Sequence, residues 1–340
     1  MTPPAIKHRQ GWLRGVIGVV VGAVVLELLV SGHGELAGAL SRFASMSLPF
    51  ALLAVAAEGA SLLAFSLAQR RVLASGARHN LGWLYLLTLA NDAIALSVPG
   101  EPAVSSAYRY RQYRRRGVEP AVAGWSILTL MIAQAVGLCL VLVAGVVVAL
   151  ATRAYAPGLA VTVVLLVVVL GASAVLLRRN ALIRLVTSLL RAVRRVTGHP
   201  RGDLATRLDR LLAEMRAVRL SRGGQMTVVF WAASAWFFDA LCLLAAFRSV
   251  AAPIPWRGVF LAYGLAQILA VLPFAPGGLG LVEGGLAVVL VAYGAPAAPT
   301  VAAVLVYRLV AYWLALAIGW PTVGILAVSQ RRHERRTGGA

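Results

Sequence analysis

Five ionisable residues lie within otherwise apolar runs of this sequence: Glu58, Asp92, Asp239, Glu283 and Arg308. Charged side chains are costly in hydrocarbon, so they pair with one another, face a polar cavity or bind a ligand. Arg308 lies about nine residues into its run, which is roughly 13 Å along a helix. At that depth a carboxylate on a neighbouring segment can reach the guanidinium, and Glu283 is the expected partner.

A Glu283–Arg308 pair allows two kinds of chemistry. A guanidinium can bind phosphate bidentately, which suits a lipid headgroup in a central cavity. The pair can equally serve only to fix one helix against another, and a carboxylate in the first turn of a helix also interacts favourably with the helix dipole. The excess of acidic residues over Arg308 favours a cationic headgroup or bound protons instead.

A glycine-rich break precedes Glu283. The sequence FAPGGLGLVEGG, from Phe274 to Gly285, interrupts a run of helix-forming apolar residues. Proline and glycine end regular structure, and irregular backbone at membrane depth is tolerated only where protein or a cavity protects it. The exposed amides of such a break can approach a ligand. The candidate substrate-binding residues here are Pro276, Gly277, Gly278, Gly280, Glu283 and Arg308.

A second break, VPGEP, spans Val98 to Pro102. Glu101 is a candidate ligand residue, or only the cap of the next helix, because proline suits the first helical position. Asn91 and Asp92 lie about ten residues into the preceding segment and are candidates to face Glu101. An asparagine in this position is also typical of an ordinary interhelical hydrogen bond. Asp239 completes the candidate substrate-binding set.

The composition predicts an integral membrane protein. Hydrophobic residues make up 60% of the 340 residues and charged residues 13%, and the mean hydropathy is +0.82. A crossing helix needs about 20 apolar residues. The six probable crossings are Val16–Ser31, Leu48–Leu67, Ala121–Leu150, Pro157–Leu177, Thr227–Phe247 and Thr300–Val328. The first could be a signal peptide, but its length favours a retained helix.

The positive charge predicts the topology. There are 32 Lys and Arg residues against 12 Asp and Glu, which gives a net charge of +20, and most basic residues lie in connections, as is typical of cytoplasmic loops. The cluster Tyr108–Gly117 would lie outside if Leu81–Val98 crossed the membrane. A re-entrant Leu81–Val98 segment that turns at Pro99 and Gly100 removes this conflict, and Val259–Tyr293 fits the same scheme from the other side.

These elements define one membrane domain over residues 1–340. A first half at 12–150 and a second half at 157–328 carry the same elements in opposite orientation, the inverted repeat on which many transporters are built. The predicted fold is therefore an all-α polytopic membrane protein, with about six transmembrane helices and two re-entrant helical hairpins. Ordinary kinked helices are the alternative. A basic loop at 178–225 and a basic tail at 329–340 are expected in the cytoplasm.

The basic loop predicts a contact with lipid. It holds twelve arginines and leucines at helical spacing, so an amphipathic helix attracted to anionic lipid at the inner surface is expected. A purely topogenic loop is the alternative. Tyr108, Tyr110 and Tyr113 are interpreted as an interfacial aromatic belt.

Several other classes of function lack a sequence signal. Cys139 and Cys242 lie in apolar runs, where neither a disulfide nor a metal cluster is expected. There is no phosphate-loop lysine, the glycine break lacks the spacing of a dinucleotide loop, and the histidines are scattered. We therefore expect no enzyme activity, no cofactor and no metal. Nucleic-acid binding is disfavoured because the charge is spread over loops.

Four stretches resemble a known family. They are PGEPAVSSAYRYRQYRRRGV, FFDALCLLAAF, PFAPGGLGLVEGG and VYRLVAYWLALAIG. Together they are similar to the flippase-like membrane domain found at the N-terminus of lysylphosphatidylglycerol synthases, which also occurs alone. The resemblance implies a polytopic domain that binds lipid or moves it between leaflets. The large soluble catalytic domain of those synthases has no counterpart here, so aminoacyl transfer is not expected.

The sequence thus predicts a lipid flippase or lipid transporter of the bacterial cytoplasmic membrane. Its expected partner is a membrane lipid, most simply a phospholipid, and both termini are expected in the cytoplasm. The alternative is a scaffold that binds lipid, or presents it to a separate enzyme, without transporting it.

Overall fold

The computed structural model of the protein describes residues 46–74, 79–98, 101–152, 220–271 and 275–337. Within these ranges the regular structure is entirely helical, so the all-α prediction is confirmed for them. Two of the predicted crossings, Val16–Ser31 and Pro157–Leu177, lie outside the described residues. The basic loop lies outside them as well, except for its last residues from 220 onward.

Four helical segments are long and apolar enough to cross a membrane. They are α1 (Leu48–Leu73), α4 (Pro120–Ala151), α5 (Arg222–Ser249) and the segment Ala297–Ser329. The last comprises α8 (Ala297–Arg308), a π-helical turn (Leu309–Leu314) and the first part of α9 (Ala315–Thr337). Each exceeds the roughly 20 residues that a crossing needs. The four segments coincide with four of the six predicted crossings.

Shorter helices lie between the long ones and meet at the predicted breaks. They are α2 (Leu81–Ser97), α3 (Glu101–Arg115), α6 (Val259–Val271) and α7 (Leu281–Ala292). At 13 and 12 residues, α6 and α7 are each well short of a full span. A 3-10 turn at Pro276–Gly278 lies between them. The helix therefore stops and restarts at both positions that the proline and glycine residues indicated.

Helices α1 and α5 run antiparallel along each other. The backbone N–H of Ser47, before α1, donates to the carbonyl of Ser249, the last residue of α5, at 2.7 Å. At the opposite end, a Cβ placed on Gly224 near the start of α5 would lie 3.1 Å from Nη2 of Arg71, near the end of α1. The two predicted halves thus contact each other through their first described helices.

Two further helix contacts also cross between the two predicted halves. Helix α2 packs against α9, and α6 packs against α4. Small residues allow both approaches: a Cβ on Gly319 of α9 would meet the Leu89 carbonyl oxygen of α2 at 2.5 Å, and one on Gly145 of α4 would meet the Leu261 nitrogen of α6 at 2.9 Å. Small residues at such crossings are typical of membrane helix packing.

Apolar side chains cover the outside of the long helices. Leu52 of α1, Val147 of α4, Phe230 of α5 and Ile325 of α9 are all more than half exposed. Soluble proteins rarely expose large contiguous apolar surfaces, whereas hydrocarbon covers them at no cost. Length, composition and this exterior together identify a multi-pass membrane protein.

Candidate functional site

Glu283 and Arg308 form a buried ion pair. Nε of Arg308 donates to Oε1 of Glu283 at 2.6 Å, and the two residues are only 8% and 6% exposed. Nη2 of Arg308 donates to the carbonyl oxygen of Gly277 at 3.0 Å. The predicted pair therefore exists, and its arginine also holds the backbone of the glycine-rich break.

The second oxygen of Glu283 caps helix α7. Oε2 accepts a hydrogen bond from the backbone N–H of Gly280 at 2.7 Å, because Glu283 lies three residues after the residue that precedes the helix. This is the carboxylate half of a capping box. Both oxygens of Glu283 are thus bonded within the protein, one to the start of a helix and one to Arg308.

The break needs glycine for conformational and steric reasons. Gly277 and Gly278 have φ values of +53° and +66°, which L side chains rarely adopt. A Cβ on Gly277 would also lie 2.5 Å from the ring of Tyr312, and one on Gly278 would lie 2.9 Å from the Cα of Ala270 in α6. The turn is packed tightly against its surroundings at both positions.

Tyr312 joins the second break to the end of α2. Its ring lies under the Arg308 guanidinium, with 4.5 Å between Cζ and the ring centroid. Its hydroxyl donates to the carbonyl of Leu96 at 3.2 Å, and Leu96 lies two residues before the first break. The π-helical turn that begins at Leu309 contains Tyr312, and such turns are frequent at functional sites. The end of α2 therefore lies beside the second break.

Asp239 of α5 is the centre of a second polar cluster. Oδ2 accepts hydrogen bonds from the Tyr263 hydroxyl at 2.7 Å and from Nε2 of Gln267 at 3.0 Å. Oδ1 accepts one from the Tyr307 hydroxyl at 3.0 Å. Three donors from α6 and α8 thus converge on one carboxyl, and Tyr307 directly precedes Arg308 of the ion pair.

Two further acidic residues approach this cluster from the other predicted half. Glu58 of α1 lies within hydrogen-bonding reach of Asp239, and Asp92 of α2 is close enough to act on Glu58 electrostatically. Oε2 of Glu58 is fully buried and has no hydrogen-bond donor. The acidic residues singled out in apolar runs therefore converge on one region.

Asn91 makes a hydrogen bond between helices rather than facing this region. With its amide oriented so that donors meet acceptors, its nitrogen donates to the Ser105 carbonyl at 2.7 Å and its oxygen accepts from Nη2 of Arg109 at 2.8 Å. The structural alternative considered for Asn91 is the one observed. The side chain of Glu101, its candidate partner across the break, is not among those described.

The interpretation of Tyr113 as part of an interfacial belt is wrong. Tyr113 is completely buried, and its hydroxyl donates to Oε1 of Gln69 at 2.8 Å. Nε2 of Gln69 in turn donates to Oγ1 of Thr88 at 2.7 Å, so one hydrogen-bonded chain ties α3 to α1 and α2. Buried polar groups need such partners, and the alternation of tyrosine with arginine along the sequence does not reveal them.

A family comparison identifies the class of this membrane protein. The family profile described as "Lysylphosphatidylglycerol synthase TM region" matches residues 15–319. The chain belongs to this family. The resemblance inferred from the four sequence stretches is thereby confirmed, and the matched range includes both breaks, the ion pair and the Asp239 cluster. A comparison of this chain with curated proteins found no match.

Sequence reasoning missed the uncharged half of the site in this family member. Three hydrogen-bond donors to Asp239 come from Tyr263, Gln267 and Tyr307. Tyr312 supplies an aromatic face to Arg308. A usable signal existed: Tyr263 and Gln267 are four residues apart on an apolar helix, as are Arg308 and Tyr312, and residues at that spacing share a helix face. Arg109 is buried, and its Cζ lies 5.0 Å from the centroid of the Phe65 ring. Its position within a basic cluster of the sequence gave no indication of this burial.

The site offers no metal-binding geometry in the part of the chain that is described. No group of three or more His, Cys, Asp or Glu residues there is arranged to hold a metal ion. Cys139 and Cys242 are both buried, and no disulfide joins them. The arrangement can bind an anionic group at Arg308, or a cation or proton at the acidic residues.

Proposed function

We propose that this member of the lysylphosphatidylglycerol synthase TM-region family is a lipid flippase or lipid transporter, which moves a phospholipid between leaflets. The observation that carries the proposal is the contact between the end of α2 and the second break at the buried Glu283–Arg308 pair, through Tyr312 and Leu96. Broken helices in corresponding positions of two repeat halves mark the binding sites of many transporters.

We propose an inverted repeat of six crossings and two re-entrant hairpins, and the contacts between the described helices support the repeat. The first described helices of the two halves, α1 and α5, run antiparallel, as elements of opposite orientation must. In the proposed repeat, α2 corresponds to α6, and α4 corresponds to the segment that ends in α9. The α2–α9 contact should therefore have a counterpart between α6 and α4, and both contacts are present. Rocking of one half against the other around the breaks would give alternating access.

The proposed substrate site joins the ion pair to the acidic cluster. A guanidinium has five N–H donors, and the two hydrogen bonds of Arg308 leave others for a headgroup phosphate. Pro276, Gly277, Gly278 and Gly280 would present backbone, while Asp92, Asp239 and Glu101 would contact the rest of the headgroup. Asn91 would act indirectly, through Arg109.

A lipid-binding scaffold is the second candidate. It is favoured by the complete internal bonding of Glu283, whose two oxygens contact Gly280 and Arg308. Such a pair can hold two elements together without ever meeting a ligand. A scaffold of this kind would bind lipid, or present it to a separate enzyme, without moving it.

Transport in reconstituted vesicles tests these candidates. We expect purified protein in phosphatidylethanolamine–phosphatidylglycerol vesicles to move fluorescently labelled phosphatidylglycerol between leaflets, measured by the fraction that an impermeant quencher can reach. Protein-free vesicles and vesicles with an unrelated multi-pass protein are the controls. Binding of labelled lipid without any change in the protected fraction would favour the scaffold.

The membrane setting follows from the same proposal. We place the protein in the bacterial cytoplasmic membrane with both termini inside. The exposed Arg111, Arg114 and Arg115 of α3 would face anionic lipid at the inner surface, as would the basic loop at 178–225. The protein would act without a cofactor, as a transporter rather than an enzyme, and without nucleic acid.

Single cysteines can test the proposed orientation. Pro296, between α7 and α8, and Gly117, between α3 and α4, are both exposed. We expect a cysteine at Pro296 to react with an impermeant maleimide added outside intact cells, and a cysteine at Gly117 to react only after lysis. The wild type provides the background, because Cys139 and Cys242 are buried. External labelling at Gly117 would remove the first re-entrant hairpin and the inverted repeat.

A further inference from the structure

The hydrogen bonds around Asp239 indicate an ionised carboxylate. Its two oxygens accept three hydrogen bonds, from the hydroxyls of Tyr263 and Tyr307 and from the amide nitrogen of Gln267. A carboxylate is an acceptor only, and donors that converge on it favour the charged form. Asp239 therefore has what a buried anion requires.

Glu58 approaches Asp239 with one carboxyl oxygen that lacks a donor. It is within hydrogen-bonding reach of Asp239, and its Oε2 is buried with no donor. Two ionised carboxylates so close together in an apolar interior repel each other, and neither can donate to the other. A single proton resolves both problems, because a protonated Glu58 can donate an O–H to Asp239.

We propose that Glu58 and Asp239 share one bound proton, held on Glu58, and that its release and uptake are linked to lipid movement. The linkage rests on the proposed function, whereas the proton site does not. A proton needs no cavity, and the described residues contain no set of three metal-ligating side chains. These two facts favour a proton over a metal ion.

The described titratable groups that act on Glu58 come from four helices. Asp92 and Tyr85 of α2 are close enough to interact with it electrostatically, as are Cys242 and Asp239 of α5. The same holds for Tyr263 of α6 and Tyr307 of α8. Arg308 is the cation that acts on Asp239. The positive charge of Arg308 thus favours an ionised Asp239, while Asp92 adds negative charge that favours a proton on Glu58.

The location of the carboxyl pair explains how the proton would be linked to movement. Glu58 is on α1 and Asp239 is on α5, the antiparallel helices through which the two halves touch. Separation of the halves would break the Glu58–Asp239 hydrogen bond and admit water. The Glu58 O–H bond would then break, the proton would pass to water, and a carboxylate would remain. Closure would require a proton from water to return.

Infrared spectroscopy tests the proton site without any transport assay. We expect purified wild-type protein in an ester-free detergent, dodecyl maltoside, at neutral pH to show the C=O stretching band of a protonated carboxyl, and Glu58→Gln to lose it. Glu119→Gln, at an exposed residue before α4, is the matched control and should keep the band. Absence of the band in the wild type, or its full retention in Glu58→Gln, would overturn the proton site.

Transport under a pH gradient tests the linkage. We expect the movement of labelled phosphatidylglycerol by the wild type and by Glu119→Gln to respond to an imposed gradient. Glu58→Gln, which mimics the protonated acid, should lose that response. A gradient response in Glu58→Gln equal to the wild type would overturn the linkage. If the infrared band depends on Glu58 but the wild type moves no labelled lipid, the proton site stands, and both the linkage and the proposed transport fail.

Discussion

Arg308→Ala is expected to destabilise the protein by about 3–5 kcal/mol and to abolish lipid movement. The size follows from the burial of Glu283, which would keep a charge without its cationic partner. The Gly277 carbonyl would lose the donor that holds the break in place as well. Thermal unfolding in detergent and transport in vesicles would be measured on the same purified variant.

Three further variants separate the roles of the pair. Arg248→Ala removes an exposed arginine at the end of α5, and we expect a change within about 0.5 kcal/mol. Arg308→Lys retains the charge but cannot reproduce the fixed geometry of the two guanidinium contacts, so stability should recover only in part. If Glu283→Gln with Arg308→Gln restored both stability and transport, the pair would be structural and the headgroup would not need the charge.

Gly278→Ala is expected to abolish lipid movement and to lower stability by more than about 1 kcal/mol. A residue with a Cβ pays roughly 1–2 kcal/mol in the left-handed region, and Gly278 has a φ of +66°. The new Cβ would also lie 2.9 Å from the backbone of Ala270, which cannot move aside as a side chain can. The sequence predicts a break at these glycines, and the backbone geometry shows that alanine at Gly278 also carries a folding penalty.

Gly223→Ala is the matched control for this substitution. Gly223 lies in the first turn of α5, where nothing is within 4 Å of an added Cβ. Alanine in a helix is favoured over glycine by up to about 1 kcal/mol, so this variant should be neutral or slightly more stable. If Gly278→Ala matched the control in stability and kept full transport, the break would be an ordinary packing kink.

The sequence by itself determined the class of the fold and the positions of its breaks. Long apolar runs can satisfy their backbone in a membrane only as helices, and proline and glycine end helices wherever they cluster. Both signals are local, and the structure follows them at α2–α3 and α6–α7. The Glu283–Arg308 pair was also predictable, because a buried carboxylate and a buried guanidinium each need a partner of opposite charge.

Only the tertiary structure decided which residues complete the site. Tyr307 and Arg308 are neighbours in sequence, yet a rotation of about 100° per residue directs them to Asp239 and Glu283 respectively. Glu58 and Asp239 lie on different halves of the chain and meet because α1 and α5 pack against each other. Such contacts depend on how the helices are arranged in space, and periodicity along one segment carries no information about the partner that it will face.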